Sequence, residues 1–230
     1  MPTDVRNPRR PYKIWMLRFL LPAVLAATLA GVTAGGALAH GARLPDAEIF
    51  ATNNTAVITD AADPRLSDPL RAFERKVQRI VERGGGAPRG SQLLDGVFFS
   101  SDLQTTTFER SRDFDVDHVT RRELHDIAER VRVRFDQESV LTFDYPERPW
   151  DPVDGVEVEV PGLDAQRLRD GLLADAEARE RLFGGSVTLD GRLVLIAGLE
   201  DLDLVKRFVT DIGGDFGAAT VRPGQREFVG

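Results

Sequence analysis

The residues best suited to chemistry form an alternating acidic run in the middle of the chain. Asp113, Asp115 and Asp117 are separated by one residue each, and His118 follows them. Oxygen ligands at alternate positions are typical of the first half of a calcium-binding loop. A complete loop of that kind has glycine at its sixth position and glutamate at its twelfth, where this chain has His118 and Leu124. The run therefore indicates a weak divalent-cation site at most.

A structural interpretation of the same run fits the sequence better. Along a strand over residues 105–117, the apolar residues between the aspartates would face the core while the three aspartates share the solvent face. Acidic residues just before a helix also interact favourably with the positive N-terminal end of its dipole. We therefore predict no cofactor and no metal site. A cation site formed by the three aspartates and His118 is kept as the alternative.

Other candidate sites have equally simple explanations. His125 and Glu129 are spaced like a helical pair of metal ligands, but the helical period turns both away from the buried stripe, and no third ligand is evident. Paired carboxylates such as Glu157 and Glu159 are expected on the solvated faces of an acidic chain. No serine has an evident histidine partner, and the chain has three histidines and no cysteine. The sequence thus predicts no catalytic residues.

Charge and composition exclude several classes of protein. The 230 residues include 30 basic and 37 acidic side chains, which gives a net charge of −7. The basic residues are interleaved with acidic ones, so that no basic patch is evident, and an acidic chain repels phosphate backbones. Nucleic acid is therefore not a predicted partner. The lack of cysteine also excludes disulfides, thiolate metal sites and a lipid-bearing cysteine anchor.

The N-terminal segment predicts export. A basic stretch ending at Arg18 precedes an uncharged, largely apolar run over residues 19–39, which is long enough to span a membrane or to act as a signal peptide. Ala37 and Ala39 occupy the specificity positions of a signal cleavage site. Membrane contact through residues 14–39, with the N-terminus inside, would place the rest of the chain outside the cytoplasm, as would secretion after cleavage. We favour a retained single-pass anchor.

Beyond the export segment, the sequence predicts a stalk over residues 40–54 and two α+β domains. The domains cover residues 55–146 and 156–230, and a proline-rich linker over residues 147–155 joins them. Both have the element order β-α-β-β-α-β, which indicates a tandem of ferredoxin-like folds, each an antiparallel sheet with two helices on one face. Helices are expected at 68–83, 120–135, 164–183 and 199–212, and strands at 56–59, 93–99, 105–117, 140–143, 156–160, 186–189, 193–197 and 218–221. Trp150 is expected to pack between the domains.

Two functions are compatible with these features. The first is an exported, membrane-anchored, non-catalytic envelope protein that binds a protein partner or cell-wall material, which the export signal and the missing catalytic set favour. The alternative is a secreted metal-assisted hydrolase or a cation-dependent binder centred on the acidic segment Asp113–His118. The two hypotheses differ in whether those side chains converge on one point or spread along an exposed strand.

Overall fold

The structure, a computed structural model, describes residues 45–230. The predicted membrane segment at 14–39 and the cleavage positions Ala37 and Ala39 lie outside the described residues, as does the start of the predicted stalk. Within residues 45–230, no helix is long and apolar enough to cross a membrane.

Eight strands and five helices follow one another along residues 45–230. In chain order they are β1 (Ala47–Thr52), α1 (Arg71–Arg83), β2 (Ala87–Ser100), β3 (Thr105–Asp117), α2 (Arg121–Phe135), β4 (Val140–Asp144), β5 (Gly155–Pro161), α3 (Ala165–Ala174), α4 (Ala176–Arg181), β6 (Gly184–Thr188), β7 (Arg192–Gly198), α5 (Leu202–Asp211) and β8 (Thr220–Val229). α2 begins with a capping box, in which Thr120 and Glu123 each accept a hydrogen bond from the other's backbone amide. The predicted helix at 164–183 is two helices instead, because Asp175 caps the start of α4.

The eight strands form one closed antiparallel barrel. Their order around it is β1-β3-β2-β6-β7-β5-β8-β4, and β4 pairs with β1 to complete the circle. The two halves of the chain meet at two seams. At the first seam, Leu94–Phe98 of β2 pairs with β6. At the second, Val140–Asp144 of β4 pairs with β8. Closure leaves neither half with a free strand edge.

The prediction of two tandem ferredoxin-like α+β domains is therefore wrong. Strands and helices do alternate in the expected order, but the strands of both halves belong to one barrel. A period of two in the sequence indicates that a segment is a strand and which of its residues share a face, but it does not indicate the pairing partner. Element order alone therefore could not distinguish two open sheets from one closed barrel.

The apolar core lies outside the barrel, between the strands and the helices. One cluster joins α1 and α2 to the first-half strands, and its members include Ile49, Phe73, Val77, Phe114, Leu124, Ile127 and Val131. A second cluster joins α3, α4 and α5 to β5, β6 and β7, and its members include Val158, Leu168, Leu172, Leu195, Val205 and Phe208. The helices are amphipathic, and each buries its apolar stripe against the outward face of the strands. The face of the strands that points into the barrel carries other side chains.

Four further local predictions differ from the structure. Residues 47–52 form β1, although they fall in the predicted stalk, and the strand predicted at 56–59 is reduced to one isolated bridge at Ile58. The last strand, β8, is far longer than the predicted 218–221. Trp150 is 74% exposed and does not pack between two domains. Strand pairing, rather than this linker, joins the two halves.

Candidate functional site

The inward faces of the barrel strands carry charged side chains. On β1, the alanines and the isoleucine around Glu48 pack under the helices, which directs Glu48 into the barrel. On β3, the apolar residues that alternate with Asp113 and Asp115 pack outward in the same way. On β5, three buried valines pack outward and alternate with Glu157 and Glu159. The interior of this barrel therefore receives acidic side chains from several strands.

Three carboxyl groups from the first half of the chain converge inside the barrel. Glu48 on β1 lies directly opposite Asp115 on β3, and Asp113 lies two residues away on the same face of β3. One carboxylate oxygen from each residue lies within 4.8 Å of the other two. Like charges opposite each other on neighbouring strands destabilise a sheet. The arrangement therefore costs stability unless a proton or a cation lies between the oxygens.

The second half brings two more carboxyl groups together with their arginine partners. Arg222 on β8 lies opposite Glu157 on β5, and its Nη2 atom is 2.7 Å from Glu157 and 2.5 Å from Glu159. The same atom is 3.6 Å from Glu48, so that it links the two halves across the interior. Arg192 on β7 pairs with the other oxygen of Glu159 at 2.6 Å. The seven residues are named here the lumen cluster: Glu48, Asp113, Asp115, Glu157, Glu159, Arg192 and Arg222.

Hydrogen bonds satisfy only part of the lumen cluster. Gln92 Nε2 donates to Asp113 Oδ2 at 3.1 Å, and the Tyr145 hydroxyl donates to Glu157. Within residues 45–230, no hydrogen-bond partner is found for Glu48 Oε2, Asp113 Oδ1 or Glu157 Oε1, although these residues are only 1–2% exposed. Burying a polar atom without a partner is costly. These three oxygens are therefore available to a proton or to a cation.

Burial and crowding change the acidity of these groups. Burial raises the pKa of Glu48 well above its ordinary value, and the charges of Asp113 and Glu157 raise it further. Burial raises the pKa of Asp113 in the same way, with Asp115 and Glu157 adding to the effect. The pKa values of Asp115 and Glu157 are also raised by burial, although Arg222 opposes both shifts. Burial alone would lower the pKa of Arg222, but the carboxylates around it raise that pKa, so the guanidinium stays charged.

The donor atoms of the lumen cluster suit hard cations. Carboxylate oxygens are the ligands that Ca²⁺, Mg²⁺ and Mn²⁺ prefer, whereas thiolate and imidazole suit zinc and copper. Ca²⁺ binds oxygen at about 2.3–2.6 Å and tolerates irregular geometry, so that ligands on opposite sides of one ion are about 5 Å apart. The oxygens of Glu48, Asp113 and Asp115 lie within that span. One Ca²⁺ ion can therefore contact all three.

Two of the four residues in the alternative metal site join the lumen cluster, and two do not. Asp113 and Asp115 join it, although they face the barrel interior and not the predicted solvent face. Asp117 Oδ1 accepts a hydrogen bond from the Asp46 amide at 3.0 Å, and its other oxygen forms an ion pair at 3.1 Å. His118 is exposed in a left-handed turn with φ of 58°. The Asp117 carboxylate and the His118 backbone amide both bond to Asp46 at the end of β3.

The helical pair singled out in the sequence forms no common site. His125 Nδ1 lies 3.0 Å from a carboxylate oxygen of Glu227 on β8. Glu129 forms an ion pair with Arg132 on its own helix at 2.6 Å. The two side chains therefore have separate partners.

Sequence reasoning missed most of the residues that complete the lumen cluster. Glu48 falls in the predicted stalk, although small apolar residues alternate around it. Glu157 and Glu159 fall on a predicted solvated face, and Arg222 falls one residue beyond the predicted last strand. The strict alternation of glutamate with valine was the available signal. It indicates two faces of different chemistry but not that both faces are buried.

Comparisons with known proteins assign no family to the chain. No protein-family model, curated protein or solved structure matches it. The protein is therefore classified by its fold and by the side chains inside the barrel. They form a closed eight-stranded antiparallel barrel with helices packed outside and a carboxylate-rich cluster inside.

Proposed function

We propose that the protein is an exported, non-catalytic binding protein that holds a divalent cation, Ca²⁺ by preference, inside its barrel. The observation that carries this proposal is the convergence of Glu48, Asp113 and Asp115 on one point, with buried oxygens that have no partner among the described residues. In the lumen cluster, carboxyl groups outnumber guanidinium groups five to two. A cation supplies the positive charge that the side chains lack.

Protons and a metal ion compete for the same oxygens. The raised pKa values of Glu48 and Asp113 mean that the metal-free protein keeps protons on this cluster at a pH where free carboxyl groups have lost them. A metal ion binds the deprotonated carboxylates and releases those protons. Calcium affinity is therefore expected to be higher at pH 8 than at pH 5.

Enclosure of the cluster favours binding over metal-assisted hydrolysis. A catalytic metal keeps a coordination position open to water and substrate, whereas a structural metal is closed in by protein ligands. Glu48 and Asp113 are 2% exposed, and Asp115 is half-buried. Two of the three candidate ligands are thus closed off from solvent, which leaves little access for a substrate.

The three converging carboxyl groups all lie on β1 and β3, in the first half of the chain. An ion held by them would therefore relieve the charge repulsion between these two paired strands. The link to the second half is Arg222, whose Nη2 atom lies 3.6 Å from Glu48. Export and a partner in the cell envelope remain predictions, because the export signals lie outside residues 45–230.

Thermal unfolding of the full chain tests this proposal. After chelator treatment, CaCl2 should raise the melting temperature. A cation at 100 times its Kd adds about 2.7 kcal/mol, which in a barrel of this size corresponds to a shift of about 5–10 °C. Glu48→Gln and Asp113→Asn should each remove most of the shift. Asp126→Asn, which deletes an exposed carboxylate on α2, should retain it.

A second variant tests the geometry and leaves every charge in place. A Cβ atom at position 90 would lie 2.9 Å from Asp115 Oδ2, so Gly90→Ala should displace that carboxylate and weaken calcium binding. The proposal is wrong if no divalent cation raises the melting temperature. It is also wrong if Glu48→Gln and Asp113→Asn retain the full shift.

A further inference from the structure

The first two helices form a groove that is lined almost wholly by basic side chains. α1 contributes Lys76, Arg79, Ile80 and Arg83, and α2 contributes Arg130 and Arg134; these six residues are named here the basic groove. The groove has a volume of about 440 Å³, and its five basic residues are exposed. It lies on the outer surface of the helices, away from the lumen cluster.

Helical spacing explains why the basic groove is not evident in the sequence. Lys76, Arg79 and Arg83 are spaced i, i+3 and i+7 and therefore share one face of α1, while Arg130 and Arg134 are spaced i, i+4 on α2. Glu82 interrupts the first stripe, and more than forty residues separate the two stripes in the sequence, but the two helices pack side by side and bring the stripes together. Five positive charges thus meet on a chain whose net charge is −7.

The basic groove has no internal charge compensation. Among residues 45–230, none of its five cationic side chains forms an ion pair with a carboxylate, and the nearby Glu129 pairs with Arg132. Arg83 and Arg134 lie in the last turns of α1 and α2, where the helix dipole favours positive charge, and Arg83 Nε donates to the Arg79 carbonyl at 2.9 Å. These contacts hold the side chains in place but supply no anion, so the groove can accept one.

Phosphate is the anion that best matches these donors. Guanidinium groups bind phosphate oxygens in a bidentate manner, and the charge-assisted bonds that result are about twice as strong as neutral ones. The groove volume of about 440 Å³ suits a compact ligand with several negative charges. A long nucleic acid is disfavoured, because the acidic remainder of the chain repels it.

We infer that the basic groove binds a compact phosphate-bearing anion, either a soluble polyphosphate or the headgroup of an anionic phospholipid. Both sources present the same oxygens to the arginines of α1 and α2. Ile80 adds an apolar contact at the groove. Binding should weaken as salt rises, because the charges are exposed and screened at the Debye length of about 8–10 Å.

Two binding measurements on the full chain distinguish the sources. Calorimetric titration with inorganic tripolyphosphate, in metal-free buffer so that the lumen cluster is silent, tests the soluble anion. Sedimentation with phosphatidylglycerol vesicles, against phosphatidylcholine vesicles, tests the headgroup. The variant is Arg79→Gln with Arg134→Gln, one arginine from each helix. Its matched control is Arg122→Gln with Arg167→Gln, which removes two exposed arginines outside the groove.

The inference predicts that the groove variant binds at least about tenfold more weakly than the wild type, because it loses two charge-assisted contacts. The control should bind like the wild type. Such a loss with tripolyphosphate supports a soluble ligand, and a loss confined to phosphatidylglycerol vesicles supports a headgroup. The inference is overturned if neither probe binds the wild type, or if the groove variant and the control bind equally.

Discussion

At the middle of β3, the two faces of the strand are equally buried but chemically opposite. On β3, Phe114 packs outward against Phe73 of α1, and its neighbour Asp113 points inward to the lumen cluster. Phe114 is 1% exposed and Asp113 is 2% exposed. In most proteins the buried face of a strand is apolar and the charged face is solvated. At these two positions both faces are removed from water.

Burial therefore has opposite energetic effects on the two faces. Outward burial removes apolar area from water and stabilises the fold by roughly 25 cal/mol per Å². Inward burial strips water from carboxyl groups, which costs free energy until a proton, an arginine or a metal ion compensates. The barrel thus derives its stability from the layer outside the strands. The candidate cation site lies inside.

Substitutions at the neighbouring residues Phe114 and Asp113 test this comparison. They are expected to give the largest difference in the free energy of unfolding. Phe114→Ala should lower the free energy of unfolding by about 3–5 kcal/mol, because it leaves a cavity under α1. Asp113→Asn should lower it little or raise it in chelator, because the amide needs no proton or cation. Denaturant unfolding at pH 7.5 measures both changes.

An exposed phenylalanine provides the control for that pair. Phe183 is 61% exposed, so Phe183→Ala should change the free energy of unfolding by about 0.5 kcal/mol or less. If Asp113→Asn costs as much as Phe114→Ala in chelator, the inward carboxyl is a stabilising group and the contrast between the faces is wrong.

Removal of an arginine tests how much the buried carboxyl groups of the inward face depend on their cationic partner. Arg222 is the partner of Glu157 and Glu159 and approaches Glu48, so Arg222→Gln leaves buried carboxyl groups without their cation. Breaking a buried ion pair on one side is strongly destabilising. We expect a loss of about 3 kcal/mol at pH 8 in chelator. At pH 5 the loss should be smaller, because protonation then neutralises the carboxyl groups.

Arg192→Gln is the matched control for this prediction. Arg192 pairs with the same Glu159 at 2.6 Å, but its side chain is 36% exposed and water can replace it. The expected loss is about 1 kcal/mol or less. Equal losses for the two variants would contradict the view that depth in the barrel determines the cost.

Much of the secondary structure could be predicted from the sequence, and the closure of the barrel could not. Alternation in β5 and the capping box of α2 are local signals, and both elements form where they were expected. Pairing of β2 with β6 and of β4 with β8 depends on contacts between residues far apart in the chain. No local pattern encodes such a choice. The predicted fold class was wrong because it depends on this long-range pairing.

The candidate site was only half predictable for the same physical reason. Asp113 and Asp115 are recognisable as possible ligands because they alternate on one strand. Their partners Glu48, Glu157 and Arg222 come from other strands and meet them only after closure. The sequence also favours solvent for the charged face, since that is the usual environment of carboxylates. Inside a closed barrel the charged face is buried, although the alternation of charged and apolar residues along the strand is the same.

A substitution of Glu109 tests whether burial of a carboxyl group on the inward face also lowers stability away from the lumen cluster. Its expected effect is the smallest of those predicted here. It shares the face of β3 that carries Asp113, and it lies opposite Gly96 on β2. Burial raises its pKa from 4.5 to about 7. Between those values the folded protein holds a proton that the unfolded chain has released, so the stability of the wild type falls as pH rises through this window.

Glu109→Gln removes that titration and should therefore change how stability depends on pH. Below pH 4.5 the variant and the wild type should unfold alike, because the protonated acid and the amide are both neutral. Above pH 7 the variant should be more stable by about 1–2 kcal/mol, less than the full shift implies, because the side chain keeps some contact with water. Glu180→Gln, at an exposed position on α4, should show no such dependence. A Glu109→Gln curve parallel to the wild type would mean that this carboxyl group titrates normally, and the cost of inward burial would then be confined to the lumen cluster.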